Sequence, residues 1–106
     1  MTDIARGADL PDTGELRSRI ERLIQDRETL LRELEPRALP TVDPVAYQTA
    51  ASHRVVIRQL TAALGRIDAG RYGWCERCGR RIAAARLEAL PHASACIASQ
   101  SHADAA

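Results

Sequence analysis

At 106 residues the chain is one domain's worth of sequence, and with no Phe and 3% aromatic residues it has a thin core that gains from a metal ion or a helical hairpin. Its fifteen basic residues, all Arg, face fourteen acids, and the net charge of +1 excludes a global electrostatic footprint for nucleic acid. The start Met1-Thr-Asp-Ile lacks the apolar run of a signal peptide and no segment approaches the ~20 apolar residues of a membrane span, so a cytoplasmic protein is expected.

Residues 1–11 are expected to form a flexible tail. Order begins at Asp12, which with Glu15 makes a capping-box-like helix start. From there to Glu35 the spacing predicts a helix: Leu16, Ile20, Leu23, Leu30 and Leu34 follow 4-3 alternation with Arg27 at the polar seam position, and Pro36 and Pro40 end the run. A tip at about 36–43 follows. A second helix is predicted from Pro44 to about Ala69, with Ala46, Ala50, His53, Ile57, Leu60, Leu64 and Ile67 as its seam. Asp43 is placed to cap it, with Pro44 at the first helical position.

Two such helices joined by a short loop fold back on one another, giving an antiparallel coiled-coil hairpin ~33–39 Å long over 12–70. With Leu34 across from Ala46, Leu23 meets Ile57, Ile20 meets Leu60, Leu16 meets Leu64, and Arg27 falls opposite His53 as a register-fixing polar layer. The fold class is therefore all-α, with a small C-terminal module at 71–99 and a tail at 100–106.

That module carries the chemistry. Cys75-Glu-Arg-Cys78, followed by Cys96 and by Ser99 where a fourth cysteine is due, has the spacing of a zinc ribbon, in which two tight turns each supply two thiolates to tetrahedral zinc. Gly73 and Gly79 flank the first knuckle, where positive φ turns backbone N–H groups toward sulfur. A serine hydroxyl is a poor zinc ligand, so the fourth position falls to Ser99, water, His102 or His92. Trp74-Cys75-x-x-Cys78 also resembles a thioredoxin motif, but no strand precedes it, and no nucleophilic triad, phosphate loop or paired carboxylates point to an enzyme. Arg71, Arg77, Arg80, Arg81 and Arg86 against Glu76 and Glu88 make the module locally basic. With no interleaved aromatics beyond Tyr72 and Trp74, that surface suits an acidic protein or a plain solvated face better than a sequence-specific nucleic acid.

The stretch Arg71-Tyr-Gly-Trp-Cys-Glu-Arg-Cys-Gly-Arg-Arg-Ile82, with Arg86-Leu-Glu-Ala-Leu-Pro91 and Cys96-Ile97, closely resembles the DksA/TraR family of C4-type zinc fingers, and the likeness covers positions 64–99 well. The resemblance implies a monomeric, non-catalytic transcription regulator with one zinc ion, whose hairpin enters the secondary channel of bacterial RNA polymerase. It also implies an acidic pair at the tip, in an Asp-x-x-Asp-x-Ala motif. Here Asp43 matches the first acid, while Ala46 and Gln48 replace the second acid and the alanine. Family positions that help to bind guanosine tetraphosphate correspond to Leu90 and Gln100, neither of which carries the positive charge a polyphosphate needs. The rival expectation is a metal-binding or thiol-sensing module that does not act on polymerase.

Overall fold

The computed structural model describes residues 13–96. Helix α1 spans Thr13–Leu34, a 3-10 turn covers Glu35–Arg37, helix α2 spans Pro44–Asp68 and a short α3 spans Ala84–Ala89. Asp12, the predicted cap of α1, lies outside the described residues. Among those residues no helix is long and apolar enough to cross a membrane.

Local chemistry sets the boundaries. Pro36 cannot donate to the helical ladder, and α1 gives way to the 3-10 turn that contains it. Asp43, in an extended conformation, accepts a hydrogen bond from the Ala46 N–H at 3.0 Å, and Pro44 supplies the fixed φ of a first helical turn. Gly70 ends the second helix region at φ 72°, where its N–H meets the Ile67 carbonyl at 3.1 Å.

The two long helices pack as an antiparallel hairpin. Cross-pairs fix the direction and register: Arg17 near the start of α1 pairs with Asp68 at the end of α2, and Glu35 at the far end meets Arg54 at 3.6 Å. Midway, Arg27 Nη1 lies 3.2 Å from His53 Nδ1. The fold is thus all-helical, two packed helices followed by a C-terminal cysteine cluster.

The seam is uneven along its length. At the base Leu16, Ile20, Leu60 and Ala63 are buried in one cluster with Tyr72, Cys75, Ile82, Leu87, Ala93 and Ala95 of the module. Toward the tip only Ala46 and Ala50 are buried, and Leu30, expected in the seam, is 46% exposed. The inward face of α2 is also displaced: Ala63 and Arg66 are buried, while Leu64 and Ile67 are only partly so. The strict 4-3 reading assumes that each helix has the other as its single partner, whereas α2 is also covered by the module, which widens and rotates its buried stripe.

Candidate metal centre

The module begins as a backbone ribbon too short to be a sheet. Trp74 and Arg81 form an isolated antiparallel bridge, Ile82 donates to the Gly73 carbonyl at 2.8 Å and Cys75 donates to the Arg80 carbonyl at 2.7 Å. Between these arms the chain reverses at Gly79, whose φ of 75° is a left-handed conformation that a side chain would strain. Its N–H meets the Cys75 carbonyl at 2.9 Å, and the Cys78 N–H donates to Cys75 Sγ at 3.4 Å. This knuckle turns an amide dipole toward sulfur, which favours the thiolate form that a metal needs.

Cys96 comes to the knuckle from the far end of the module. Its Sγ is 3.7 Å from that of Cys78, and the ligand atoms of Cys75, Cys78 and Cys96 all lie within 4.8 Å of one another. Two sulfurs on one zinc at about 2.3 Å and a tetrahedral angle stand about 3.8 Å apart. The spacing fits a shared ion and is far beyond the ~2.05 Å of a disulfide. None of the three cysteines is in a disulfide, and Cys75 is buried, Cys96 half-buried and Cys78 exposed. The donor set is soft and borderline, as zinc prefers. Zinc held there would supply a cross-link between the two ends of the module.

Among the described residues no other His, Cys, Asp or Glu joins this group. His92, offered by sequence as a fourth ligand, stands outside it. It is half-buried, and its pKa is lowered from 6.5 by burial first and then by the charges of Arg27, Arg66 and Arg86. Ser99 and His102, the other candidates for the fourth corner, lie outside the described residues.

The segment leading to Cys96 has almost no regular structure of its own after α3. Side chains from elsewhere satisfy its carbonyls instead, as a buried irregular backbone requires. Tyr72 Oη donates to Pro91 at 2.9 Å and Arg66 Nη2 to His92 and Ala93 at 3.2 and 3.4 Å, while Arg19 holds the end of α3 through the Glu88 carbonyl at 2.9 Å. Arg86 Nε reaches Ala95 at 3.0 Å, and the Glu76 N–H, inside the knuckle, meets Ser94 at 2.9 Å. Burial raises the Tyr72 pKa against the lowering charges of Arg66 and Arg19, so its hydroxyl stays a donor.

Two of these residues alter the sequence-based view. Arg86, expected in a solvated basic patch, is half-buried and occupied with the backbone, and Arg81 is half-buried with its guanidinium carbon 5.2 Å from the Trp74 ring centroid. Of the arginines in that patch, Arg71, Arg77 and Arg80 are exposed. Arg66, which periodicity passed over, is 6% exposed. It lies three positions after buried Ala63, so an i, i+3 extension of the buried stripe would have found it.

At the tip, Asp43 is occupied twice, by its cap to Ala46 and by Arg37 Nε at 3.3 Å from its second oxygen. Ala46 is 3% exposed. It faces the seam rather than the outside, so the position matching the family's second acid is not presented to a partner. Beside the exposed Arg37 and Thr41, the tip presents four exposed apolar side chains, Leu39, Val42, Val45 and Tyr47.

Residues 70–101 match the family described as the prokaryotic dksA/traR C4-type zinc finger. The C-terminal module belongs to that family. The RNA polymerase-binding transcription factor DksA of Caulobacter vibrioides is 40% identical over 53 residues, 50% of this chain and 37% of that protein. The protein of the same name from Haemophilus influenzae is 39% identical over 44 residues, 42% of this chain and 30% of that one. The chain thus matches about a third of the length of these curated relatives, 37% of one and 30% of the other. Transcription factor DksA2 from Pseudomonas aeruginosa shares the fold, with a TM-score of 0.55 over 87% of this chain and 77% of that chain at 23% identity.

Proposed function

We propose that this chain is a non-catalytic transcription regulator that binds bacterial RNA polymerase in the cytoplasm as a monomer, its hairpin entering the secondary channel and its module holding one zinc ion. The observation that carries the reading is the convergence of Cys75, Cys78 and Cys96 at zinc spacing, in a dksA/traR-type module seated at the base of an antiparallel hairpin. The relatives' names supply the partner. The fourth zinc position is filled by water, Ser99 or His102, in each case a weaker corner than a fourth thiolate. With Asp43 engaged in the cap and Ala46 turned inward, the tip occupies the channel chiefly through apolar side chains. Response to guanosine tetraphosphate is not expected.

A photo-crosslinking residue in place of Val42, at the exposed tip, tests the insertion directly with purified polymerase. Cross-links to the catalytic subunits near the active centre support the reading. Absence of any polymerase association, in protein shown to be folded by its helix signal, overturns it. A second reading rests on the exposed Cys78 thiol, 3.7 Å from Cys96: a site that exchanges metal or oxidises without contacting polymerase. Failure to recover polymerase together with metal-dependent oligomerisation would favour it.

A further inference from the structure

Cys96 is delivered by a segment with no helix or strand of its own, yet a metal corner tolerates only about 0.5 Å of misplacement. Some other part of the molecule must hold that segment. Arg66, rooted in α2, is the side chain placed to do so. Its Nη2 spans the carbonyls of His92 and Ala93, and its Nη1 stands 3.7 Å from Glu76 Oε1. Glu76 sits between the first two cysteines, and its own N–H meets the Ser94 carbonyl at 2.9 Å. One buried guanidinium therefore touches both halves of the three-thiol site. Arg86 adds the last grip, on the carbonyl immediately before Cys96.

We propose that Arg66 and Arg86 are positioning residues for the metal: they preorganise Cys96 against the Cys75–Cys78 knuckle, so that folding of the hairpin presets the third ligand. The inference rests on the metal-holding reading of the cysteines. A planar fork with five donors is what the geometry uses, because a lysine in place of Arg66 keeps the charge opposite Glu76 but cannot span two carbonyls and a carboxylate at once.

The test is a Co²⁺ titration of the full-length chain, read by the thiolate-to-cobalt charge-transfer band, on wild type, Arg66→Gln, Arg66→Lys and Arg86→Gln. Outer contacts of this kind change metal affinity about 10–100-fold. Arg66→Gln is expected to weaken Co²⁺ by that order with the helix signal at 222 nm retained, Arg66→Lys to recover only part, and Arg86→Gln to weaken it less. A second readout needs no metal. In a Cys75→Ser background, diamide takes two protons and two electrons from the Cys78 and Cys96 thiols, forming one disulfide as its N=N bond is reduced to the hydrazine. The clamp variants should form that disulfide several-fold more slowly. Equal cobalt affinities and equal oxidation rates in folded variants overturn the proposal, as does full rescue by lysine, which would reduce Arg66 to a charge. Should wild type give no charge-transfer band, the metal reading falls, while the oxidation rates still decide whether the clamp exists. If Arg66→Gln fails to fold, Arg86→Gln carries the same comparison from a half-buried position.

Discussion

Rebuilding an acidic tip is the informative perturbation, because the obvious residue to change is the wrong one. Ala46 aligns with the family's second acid but is 3% exposed, on the third residue of α2, directly above the carboxylate of Asp43 that caps its N–H. An aspartate there gains about 0.3–1 kcal/mol from the helix N-terminus. Against this stands the removal of an unpaired carboxylate from water, which costs several kcal/mol, and repulsion from Asp43. The expected net loss for Ala46→Asp is about 2–4 kcal/mol, a large part of the 5–15 kcal/mol that a small domain typically has. For a domain of this size it corresponds to a melting temperature roughly 10–25 °C lower. Val45 is 75% exposed on the same first turn. Val45→Asp keeps its charge in water, keeps the gain from the helix terminus, and should change stability by less than about 1 kcal/mol. The assay pairs urea unfolding at 222 nm with transcription from a sensitive promoter by purified polymerase. Val45→Asp should strengthen regulation at unchanged stability, while Ala46→Asp should unfold early. An Ala46→Asp protein as stable as wild type would show that Ala46 does not belong to the seam. A Val45→Asp protein that binds polymerase with no gain in effect would show that the tip's missing charge is not what limits it.

The remaining predictions test the base, the middle and the metal. Leu60→Ala, at 2% exposure, should cost about 3–4 kcal/mol and Leu30→Ala, at 46% exposure, about 1 kcal/mol or less, measured by urea midpoint; equal costs would mean that the seam is uniform. Replacing Arg27 and His53 together by Leu should raise the melting temperature, since an apolar pair avoids desolvating a cation; strong destabilisation of the double variant would show that their contact is worth more than its burial. Because burial and then Arg27, Arg66 and Arg86 depress the His92 pKa, the unfolded chain takes up its proton at higher pH than the folded one. In the metal-free protein stability is then constant above the ordinary value of 6.5 and falls as pH drops below it, and His92→Gln should flatten that part of the profile. Ser99→Cys should tighten zinc in a chelator competition by completing four thiolates, with little change in transcription; an unchanged affinity would mean that a ligand as good as thiolate already fills the corner.

Much of this was legible in the sequence for simple reasons. A 4-3 apolar rhythm interrupted by Pro36 and Pro40 leaves few arrangements besides a helical hairpin, and a single polar residue in each seam points to the layer where Arg27 and His53 now meet. Cys-x-x-Cys with two flanking glycines specifies a knuckle by local stereochemistry alone. What periodicity could not register is a third surface. Leu30 fits the rhythm and is exposed because none of the described residues covers the hairpin there, whereas Arg66 breaks the rhythm and is buried because the module does cover α2 at its base. The segment before Cys96 has no period at all, and its partners lie as far off as Arg66, 26 and 27 positions earlier than the carbonyls it serves. Such side chain to backbone pairs leave no local signature, so a buried arginine and a surface arginine look alike until the chain is folded.

The distribution of the core gives the proposed division of labour a physical basis. Every large apolar side chain buried in the hairpin among the described residues, Leu16, Ile20 and Leu60, is at the base beside the module, and the cysteine cluster is there too. Beyond Arg27 and His53 the helices are held by two buried alanines, a few ion pairs and the Asp43 cap. Opening free energy follows buried apolar contact, so it should be highest at the base and fall toward the tip. A metal at the base adds to the part that is already firm and does little for the tip proposed to meet a partner. The exposed Leu39, Val42, Val45 and Tyr47 therefore sit where the backbone can yield most readily, and apolar contacts, being non-directional, do not need the fixed geometry that a pair of carboxylates would. A tip of this kind can fill a channel without placing any one atom accurately, and the accuracy built into this molecule is reserved for the three sulfurs at its other end.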